Sequence, residues 1–444
     1  MLQIPRNVAD QRVYFGELAK KHGEMFTLKL GSNYWVFLNS HRVVNELLDK
    51  RGALYISRQN LPMAGDVASG GKRLVFLPFG DMWKWQRKVL HEVLGPSQKS
   101  IFGPFQDVES RNLLHGYLKS PETWHLSNAQ YSSSVIMSMT FGRRTKLRDE
   151  TTETIIAVND QLSKSFEPGS NLIDSFPFLA RIPFAKSLQP WRWWGDNLYN
   201  VALANFRNEY SNFINRQEEG TVPKCLASEF LRLVIEAGSD TTRVSLNQLA
   251  AAAAIFPDWV ERARQELDSV CGANAERLPD ALDAPNLPYI KAAAKETVRW
   301  NPSFGEIAHS LIKDDNFEGY RFPAGTTFVW NHWGIHNSPN EYAKPERFWP
   351  DRFLNEDLDK PIKGHLGFGT GRRVCPGWNV ASASLFLGIS RIIYCFDFHL
   401  VPGHKIPVGK PFSIGFEKPY EVAVTVRRQA HADLIERECA DSAL

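Results

Sequence analysis

The segment Phe368-Gly-Thr-Gly-Arg-Arg-Val-Cys-Pro-Gly377 sets one cysteine between glycine-containing turns and directly after two arginines. Positive charge and nearby helix N–H groups favour a thiolate over a thiol, and a helix-like run follows from Trp378 to Cys395. Pro376 and Gly377 sit where that helix is expected to begin, and a first helical position tolerates proline because its missing N–H is not needed there. Gly371 and Gly377 would let the backbone approach the sulfur and a flat ring with no Cβ in the way. This setting keeps the sulfur ionised and suits it as a metal ligand, and axial thiolate ligation of haem fits best. Cys375 alone does not decide the matter. A lone cysteine is more often a small buried hydrophobe, and glycines beside it more often mark turns.

Three further constellations carry chemistry. Ala237-Gly-Ser-Asp-Thr-Thr242 lies in the middle of a long helical pattern, although Gly, Ser, Asp and Thr are poor interior helix formers. It reads either as a break with a second helix starting near Arg243, or as a helix bent by hydroxyls that bond back one turn and open a small polar groove. Glu296 and Arg299, three apart, share a helix face between apolar neighbours. Trp83 and Arg87 share another face, in a basic amphipathic pattern that includes Lys84 and Lys88.

Phe368, Gly371, Arg373, Cys375 and Gly377 fill every fixed position of Phe-x-x-Gly-x-Arg-x-Cys-x-Gly, the haem-binding signature of the cytochrome P-450 family. The chain resembles that family along almost its whole length. The resemblance implies a mostly α fold with small β-sheets, an α-rich single unit built around haem b, with Cys375 as the axial iron ligand and Phe368 beside it. It implies that Thr241 orders a proton-donating water and that Asp240 relays protons from bulk. It implies that Trp83, Arg87, His309 and Arg373 bind the haem propionates, although Ala308 stands where relatives commonly have proline. Glu296 and Arg299 would be joined by an arginine from a Pro-x-Arg-Phe segment. Pro345 to Phe348 is the literal match, but it resembles an element that precedes the true motif in relatives, so Arg352 is the expected third member. Substrate would be read by the loop after the second helix, by the long helix, and by Phe304, Ile307, Ile414 and Phe416, which are apolar and suit a hydrophobic small molecule. Asn60-Leu-Pro-Met-Ala-Gly65 and Ala237 to Ala254 look like the fungal group that includes O-methylsterigmatocystin oxidoreductase, which implies secondary metabolism.

The elements that must position these residues follow from periodicity. Helices are expected over 13–22, 43–50, 82–94, 108–118, 129–141, 152–165, 191–217, 227–256, 259–271 and 289–300. Phe26 to Leu30 and Tyr34 to Leu38 read as a hairpin around Gly31, and Gly52 to Gly80 as a long loop lining a site. After Pro302 short strands and loops are expected until Cys375, then one helix and small strand pairs.

With 444 residues, 43% of them hydrophobic, and a formal charge of +3, the chain can bury a large core and gives no reason to expect nucleic acid. Its five cysteines are far apart with no CxxC pair, which argues against zinc and against a disulfide framework. No apolar run approaches the ~20 residues of a membrane span. Met1-Leu-Gln-Ile-Pro5 looks like the end of the hinge that follows a membrane anchor in fungal and animal relatives, so the anchor is expected to be absent. By resemblance, the location is the cytosolic face of the endoplasmic reticulum membrane, with membrane association through the lost N-terminus. A stretch is also expected to be missing near 220–234, which would leave apolar surface of the long helix wet, impair haem loading and raise the prospect of a degenerate copy.

The expected function is a haem-thiolate monooxygenase that inserts one oxygen atom of O2 into a hydrophobic small molecule. Electrons would come from NADPH through flavins of an NADPH–cytochrome P-450 reductase. Lys84, Lys88 and Arg372 suit the docking of such an acidic flavoprotein. The competing readings are a haem-thiolate isomerase, dehydratase or peroxygenase, or a non-catalytic relic. The first group often lacks the acid–Thr pair that Asp240 and Thr241 supply.

Overall fold

The computed structural model describes residues 4–5, 8–166, 169–182, 189–223, 225, 232–302, 307–408 and 418–443. After α1 (Val8–His22), β1 (Met25–Leu30) and β2 (Asn33–Leu38) form the expected antiparallel hairpin. Gly31 has a φ of 66°, and a Cβ there would strike the Ser175 carbonyl, so only glycine makes this turn without strain. α2 (His41–Val44) runs on as a π-helical turn to Lys50. The glycine-rich stretch that follows is not loop throughout: Pro62–Val67 makes a π-helical turn.

The helical core is assembled from α3 (Asp81–Leu94), α4 (Lys99–Lys119), α5 (Trp124–Phe141), α6 (Glu150–Phe166), α7 (Leu172–Ser175), α8 (Pro190–Glu218), α9 (Arg232–Ile255), α10 (Pro257–Cys271) and α11 (Pro288–Trp300). α4 starts nine residues before the expected Val108, because Gly103 and Pro104 read as a break. α5 is buried on nearly all sides and packs along α9. Its serines stay satisfied: Ser133 Oγ donates to Ala129 O at 2.7 Å, and Ser132 Oγ donates across to Gly238 O at 3.0 Å. A Cβ on Gly238 would come within 2.6 Å of Ile136, so this glycine lets α5 approach α9.

The chain then forms β3 (His309–Ser310), the hairpin β4 (Asp315–Phe317) and β5 (Tyr320–Phe322), β6 (Thr327–Trp330) and a short helix α12 (His332–His336). β6 lies parallel to β2 and antiparallel to β3, giving the sheet order β1-β2-β6-β3. α13 (Trp378–Cys395) is apolar and central, and β7 (Phe396–Leu400) pairs with β8 (Val422–Val426). A terminal helix, α14 (Gln429–Cys439), adds to the expected ending and buries Leu434 and Ile435 against α4. The interval suspected of a missing stretch falls between α8 and α9, and 224 and 226–231 lie outside the described residues. Among the described residues, no helix is long and apolar enough to cross a membrane.

Candidate haem-thiolate site

Cys375 is fixed by its backbone. Its N–H donates to Phe368 O at 2.8 Å, closing a loop in which Gly369 and Gly371 take φ values of 72° and 60°. Gly371 is needed for a reason beyond access to a ring. A Cβ there would lie 1.9 Å from Leu48 O, at the π-helical turn after α2. Gly377 does lie beside the sulfur, since its Cβ would sit 3.9 Å from Cys375 Sγ. Gly377 is the N-cap and Trp378 the first residue of α13, so Pro376 precedes the helix instead of opening it. The surroundings of the sulfur act in both directions. Burial pushes the Cys375 thiol up, opposed by the Gly377 N–H and the Arg87 charge. Desolvation outweighs these two aids, and a bound metal's own charge is what deprotonates such a sulfur.

Three guanidinium groups converge nearby. Arg373 lies over the Trp83 ring, 4.5 Å from its centroid, and donates to Ile56 O at 2.7 Å and Leu77 O at 2.8 Å. Arg58 donates to Val75 O and Ala308 O, both at 2.9 Å. Arg87, on α3, donates to His91 Nε2 at 3.1 Å. Burial first, then mutual repulsion, brings Arg58 down to about 9 and Arg373 to about 8. Among the described residues no carboxylate acts on any of the three. Such a cluster is costly unless an anion joins it.

The orphaned polar atoms identify where that anion belongs. Trp83 Nε1 and His309 Nε2 are buried and have no partner among the described residues. His309 Nδ1 is 2.8 Å from Tyr55 O and must donate to it, so Nε2 meets an anion as a donor only if the ring is doubly protonated. Burial and the charges of Arg58 and Arg373 hold His309 well below its usual range; a carboxylate would reverse that. Cys375, Arg58 and Arg373 keep accessible surface although protein surrounds them, as side chains lining an internal cleft do. These residues fit a haem with its paired propionates: Cys375 would hold the iron, and Trp83, Arg58, Arg87, His309 and Arg373 would face the carboxylates. When bound, haem supplies thiolate-ligated iron for oxygen chemistry.

α9 is helical through Ala237 to Thr242, so the segment is not a break. Ser245 Oγ donates back to Thr241 O at 3.0 Å, the kind of bond that loosens the helical ladder at this turn. Thr241 is half-buried. Asp240 is buried and takes Arg243 Nε at 2.8 Å and Nη2 at 2.5 Å on a single oxygen.

Glu296 and Arg299 are both fully buried on α11, with Arg299 Nε 3.0 Å and Nη2 2.5 Å from the carboxylate. Arg352 Nε approaches the same carboxylate at 3.1 Å, whereas the Arg347 side chain turns to Asp258 at the surface. Several histidines pack around this group. His336 Nδ1 donates to Arg299 O at 2.8 Å, its Nε2 accepts from Leu366 N at 3.1 Å, and His41 Nε2 meets the Tyr342 hydroxyl at 2.8 Å.

Burial lowers His41 to about 4 and His365 to about 3, and elsewhere His125 and His431 to about 4. A lowered folded value means that the unfolded chain binds more protons between these values and about 6.5. Stability is therefore full above pH ~6.5 and falls towards pH 4, each histidine adding up to about 1.4 kcal/mol per pH unit. The carboxyls that burial raises, Asp66, Asp174 (to about 6), Asp240, Glu266 and Glu341, act in the opposite direction, while His91, His309 and His336 are also lowered and add to the histidine side. Urea denaturation between pH 5 and pH 8 tests this, and an unchanged midpoint across that range would contradict it.

The sequence profile of the cytochrome P450 family matches residues 1–422. The chain belongs to that family. Its relatives include the cytochrome P450 monooxygenase fogE of Aspergillus ruber, 33% identical over 89% of this chain and 77% of fogE. Another is verL of Clonostachys rogersoniana, 35% identical over 85% of this chain and 75% of verL. A zebra fish cytochrome P450 solved with abiraterone shares the fold, with a TM-score of 0.69 at 23% identity over 94% of this chain and all of that one. The enzyme class of this chain is cytochrome P450 monooxygenase.

Of the substrate residues expected for this P450, Ile307 packs against a cluster that includes Ala64, Phe76 and Leu198. Phe304, Ile414 and Phe416 lie outside the described residues. Two further residues were not singled out from sequence. Arg58 joins the cation cluster, and Asp174 ties the turn at Pro62–Val67 to α7 by accepting from Met63 N at 2.7 Å and Ala64 N at 3.4 Å. Lys84, Lys88 and Arg372 are exposed, the two lysines lying beside Asp81 and Glu92.

Proposed function

We propose that this P450 inserts one oxygen atom of O2 into a hydrophobic small molecule of fungal secondary metabolism. Its electrons come from NADPH by way of the flavins of an NADPH–cytochrome P450 reductase. The observation that carries the reading is the convergence of Arg58, Arg87 and Arg373, with no carboxylate partner among the described residues, on Trp83 and His309 beside the Cys375 loop. In this reading Cys375 ligates the iron, the cation cluster fixes the haem, Thr241 orders a water, and Asp240 returns protons from bulk. Lys84, Lys88 and Arg372 face the acidic reductase, and the protein works at the cytosolic face of the endoplasmic reticulum membrane. The presence of both Asp240 and Thr241 favours oxygen insertion over an isomerase, dehydratase or peroxygenase, classes that often lack this acid–Thr pair, because reductive oxygen activation consumes two protons that a positioned acid and hydroxyl can deliver. A reduced, CO-bound absorbance spectrum tests the thiolate. NADPH consumption that requires O2, reductase and a hydrophobic test substrate separates oxygen insertion from the other haem-thiolate reactions.

Thr241→Ala will bind haem normally, because Thr241 lies on α9 and is neither part of the Cys375 loop nor one of the residues of the cation cluster. It will divert reduced oxygen to hydrogen peroxide, lowering product per NADPH by about ten-fold or more, as loss of one positioned proton donor does. Unchanged product per NADPH would remove Thr241 from the proton path.

A further inference from the structure

A second cleft lies apart from the site described above. It is enclosed by the start of α4, by α11, by the first turns of α13, by the turn at Ala281–Asn286 and by the segment 358–368, and its volume is about 280 Å³. That is close to the lower end of the ~300–1,000 Å³ usual for small-molecule sites. Alanines make the space. Ala281, Ala284, Ala294 and Ala383 stand on three of these elements, where longer side chains would fill it. Phe102, Val298 and Phe386 give it apolar walls. None of its lining residues belongs to the cation cluster or to the apolar cluster around Ile307.

The polar groups of the cleft are few and mostly donors. His365 Nδ1 accepts from Gly367 N at 3.2 Å, so the neutral ring carries its hydrogen on Nε2. That N–H is buried with no hydrogen-bond partner among the described residues; the Pro361 carbonyl acts on the ring but does not meet bonding geometry. Ser382 Oγ is a second buried atom without a partner. Lys295, also buried, donates to Asp357 O at 2.6 Å and Lys360 O at 3.0 Å, which leaves the third of its ammonium hydrogens without an acceptor. Its charge acts on His365, so the two groups are neighbours. Lys99 and Lys291 line the cleft as well, Lys291 pairing with Asp359. Donors and positive charge against apolar walls suit an amphipathic anion, because a buried donor left unmatched costs free energy that an acceptor recovers.

We infer that this cleft binds a small amphipathic carboxylate, its apolar ring or short chain against Phe102, Val298 and Phe386 and its carboxylate on Ser382, His365 and Lys295. The ligand would lie behind the Cys375 loop, because Phe368 lines the cleft and its carbonyl holds the Cys375 N–H. Lys295 sets the pH dependence. Burial above all, with Lys360 adding and Asp357 and Asp359 opposing, brings Lys295 down to about 8. His365 stays neutral, since burial and the Lys295 charge hold it at about 3. A bound anion raises Lys295 again, so affinity is full below pH 8 and falls above it, where binding must take up a proton.

The test is calorimetric titration of the full chain with haem, using 2-naphthoate as the probe and an azole ligated to the iron to block the substrate side. One 2-naphthoate per chain is expected at pH 7. Neutral 2-naphthamide should bind about ten-fold more weakly, and Ala383→Phe, which fills the cleft, should weaken 2-naphthoate by about ten-fold or more. Ser382→Ala should weaken it several-fold, and it decides the location if Ala383→Phe does not fold. In wild type the affinity should fall above pH 8, and Lys295→Arg, whose charge does not titrate there, should remove that fall. Titration in two buffers of different ionisation enthalpy reports the same proton uptake without any substitution. Equal binding of acid and amide, or binding indifferent to both Ala383→Phe and Ser382→Ala, overturns the proposal. Absence of probe binding overturns it too, and if Ala383→Phe then weakens binding of the reductase, the cleft belongs to a protein-docking face instead.

Discussion

Cys375→Ser will abolish the thiolate-type spectrum of the reduced, CO-bound protein, while Cys395→Ser will leave it in place. The two cysteines differ in surroundings. Cys395 ends α13 with no accessible surface, and burial raises its thiol far out of the titratable range. It is an inert core residue. Cys375 keeps accessible surface, has the Gly377 N–H on its sulfur and Arg87 close by, and stands next to the Trp83–Arg373 stack. Serine preserves the backbone bond to Phe368 O and nearly preserves the volume, so the variant should fold. Its hydroxyl cannot supply a thiolate, and the axial ligand field that defines the spectrum disappears. Absorbance spectra of both variants, with haem content measured per chain, make the comparison. Loss of the band in Cys395→Ser with retention in Cys375→Ser would reverse the assignment.

The parts of this structure that depend on near neighbours were legible in sequence. The β1–β2 hairpin follows from alternation around Gly31, and α3, α10 and α11 from apolar positions at helical spacing. The choice of Arg352 over Arg347 rested on a resemblance, and the geometry gives each arginine a different carboxylate. Features that depend on distant partners were not legible. Arg58 is held by carbonyls 17 and 250 residues away, and nothing local marks it as part of a cation cluster. Asp174 reaches Met63 across 111 residues. At Gly371 the Leu48 carbonyl, more than 300 residues away, forbids a Cβ whether or not a ring lies beside it. Which arginine acts on Cys375 is a further case, because arginines adjacent in sequence need not be adjacent in space. Arg372 is exposed and Arg373 is committed to backbone carbonyls. The charge that acts on the sulfur comes from Arg87, on another helix.

Glu296→Gln will destabilise the fold by about 3–5 kcal/mol, because it leaves buried guanidinium charge without its counter-ion. That is a large part of the ~5–15 kcal/mol that holds a typical domain together. The Glu296 carboxylate accepts from two Arg299 donors and from the Trp349 N–H at 2.9 Å, and Arg352 Nε lies 3.1 Å away as an ion-pair partner. Arg299 also donates to Pro345 O at 2.6 Å and His336 O at 3.0 Å, fastening α11 to the irregular segment that follows α12. The consequence extends to the site through a short chain of bonds. His336 links Arg299 O to Leu366 N, and two residues later Phe368 O holds the Cys375 N–H. A loosened triad should therefore loosen the cysteine loop and reduce haem per chain as well as the denaturation midpoint. Arg352→Gln should do the same, since its side chain is 8% exposed and its ion partner is wholly buried. Arg347→Gln is the control. Its side chain and that of Asp258 are 41% and 59% exposed, and a surface pair of that kind contributes only about 0–1 kcal/mol. Urea denaturation with haem quantified on the same samples separates the two arginines. Severe damage from Arg347→Gln with a silent Arg352→Gln would make Arg347 the third member and break the proposed link from the triad to Cys375.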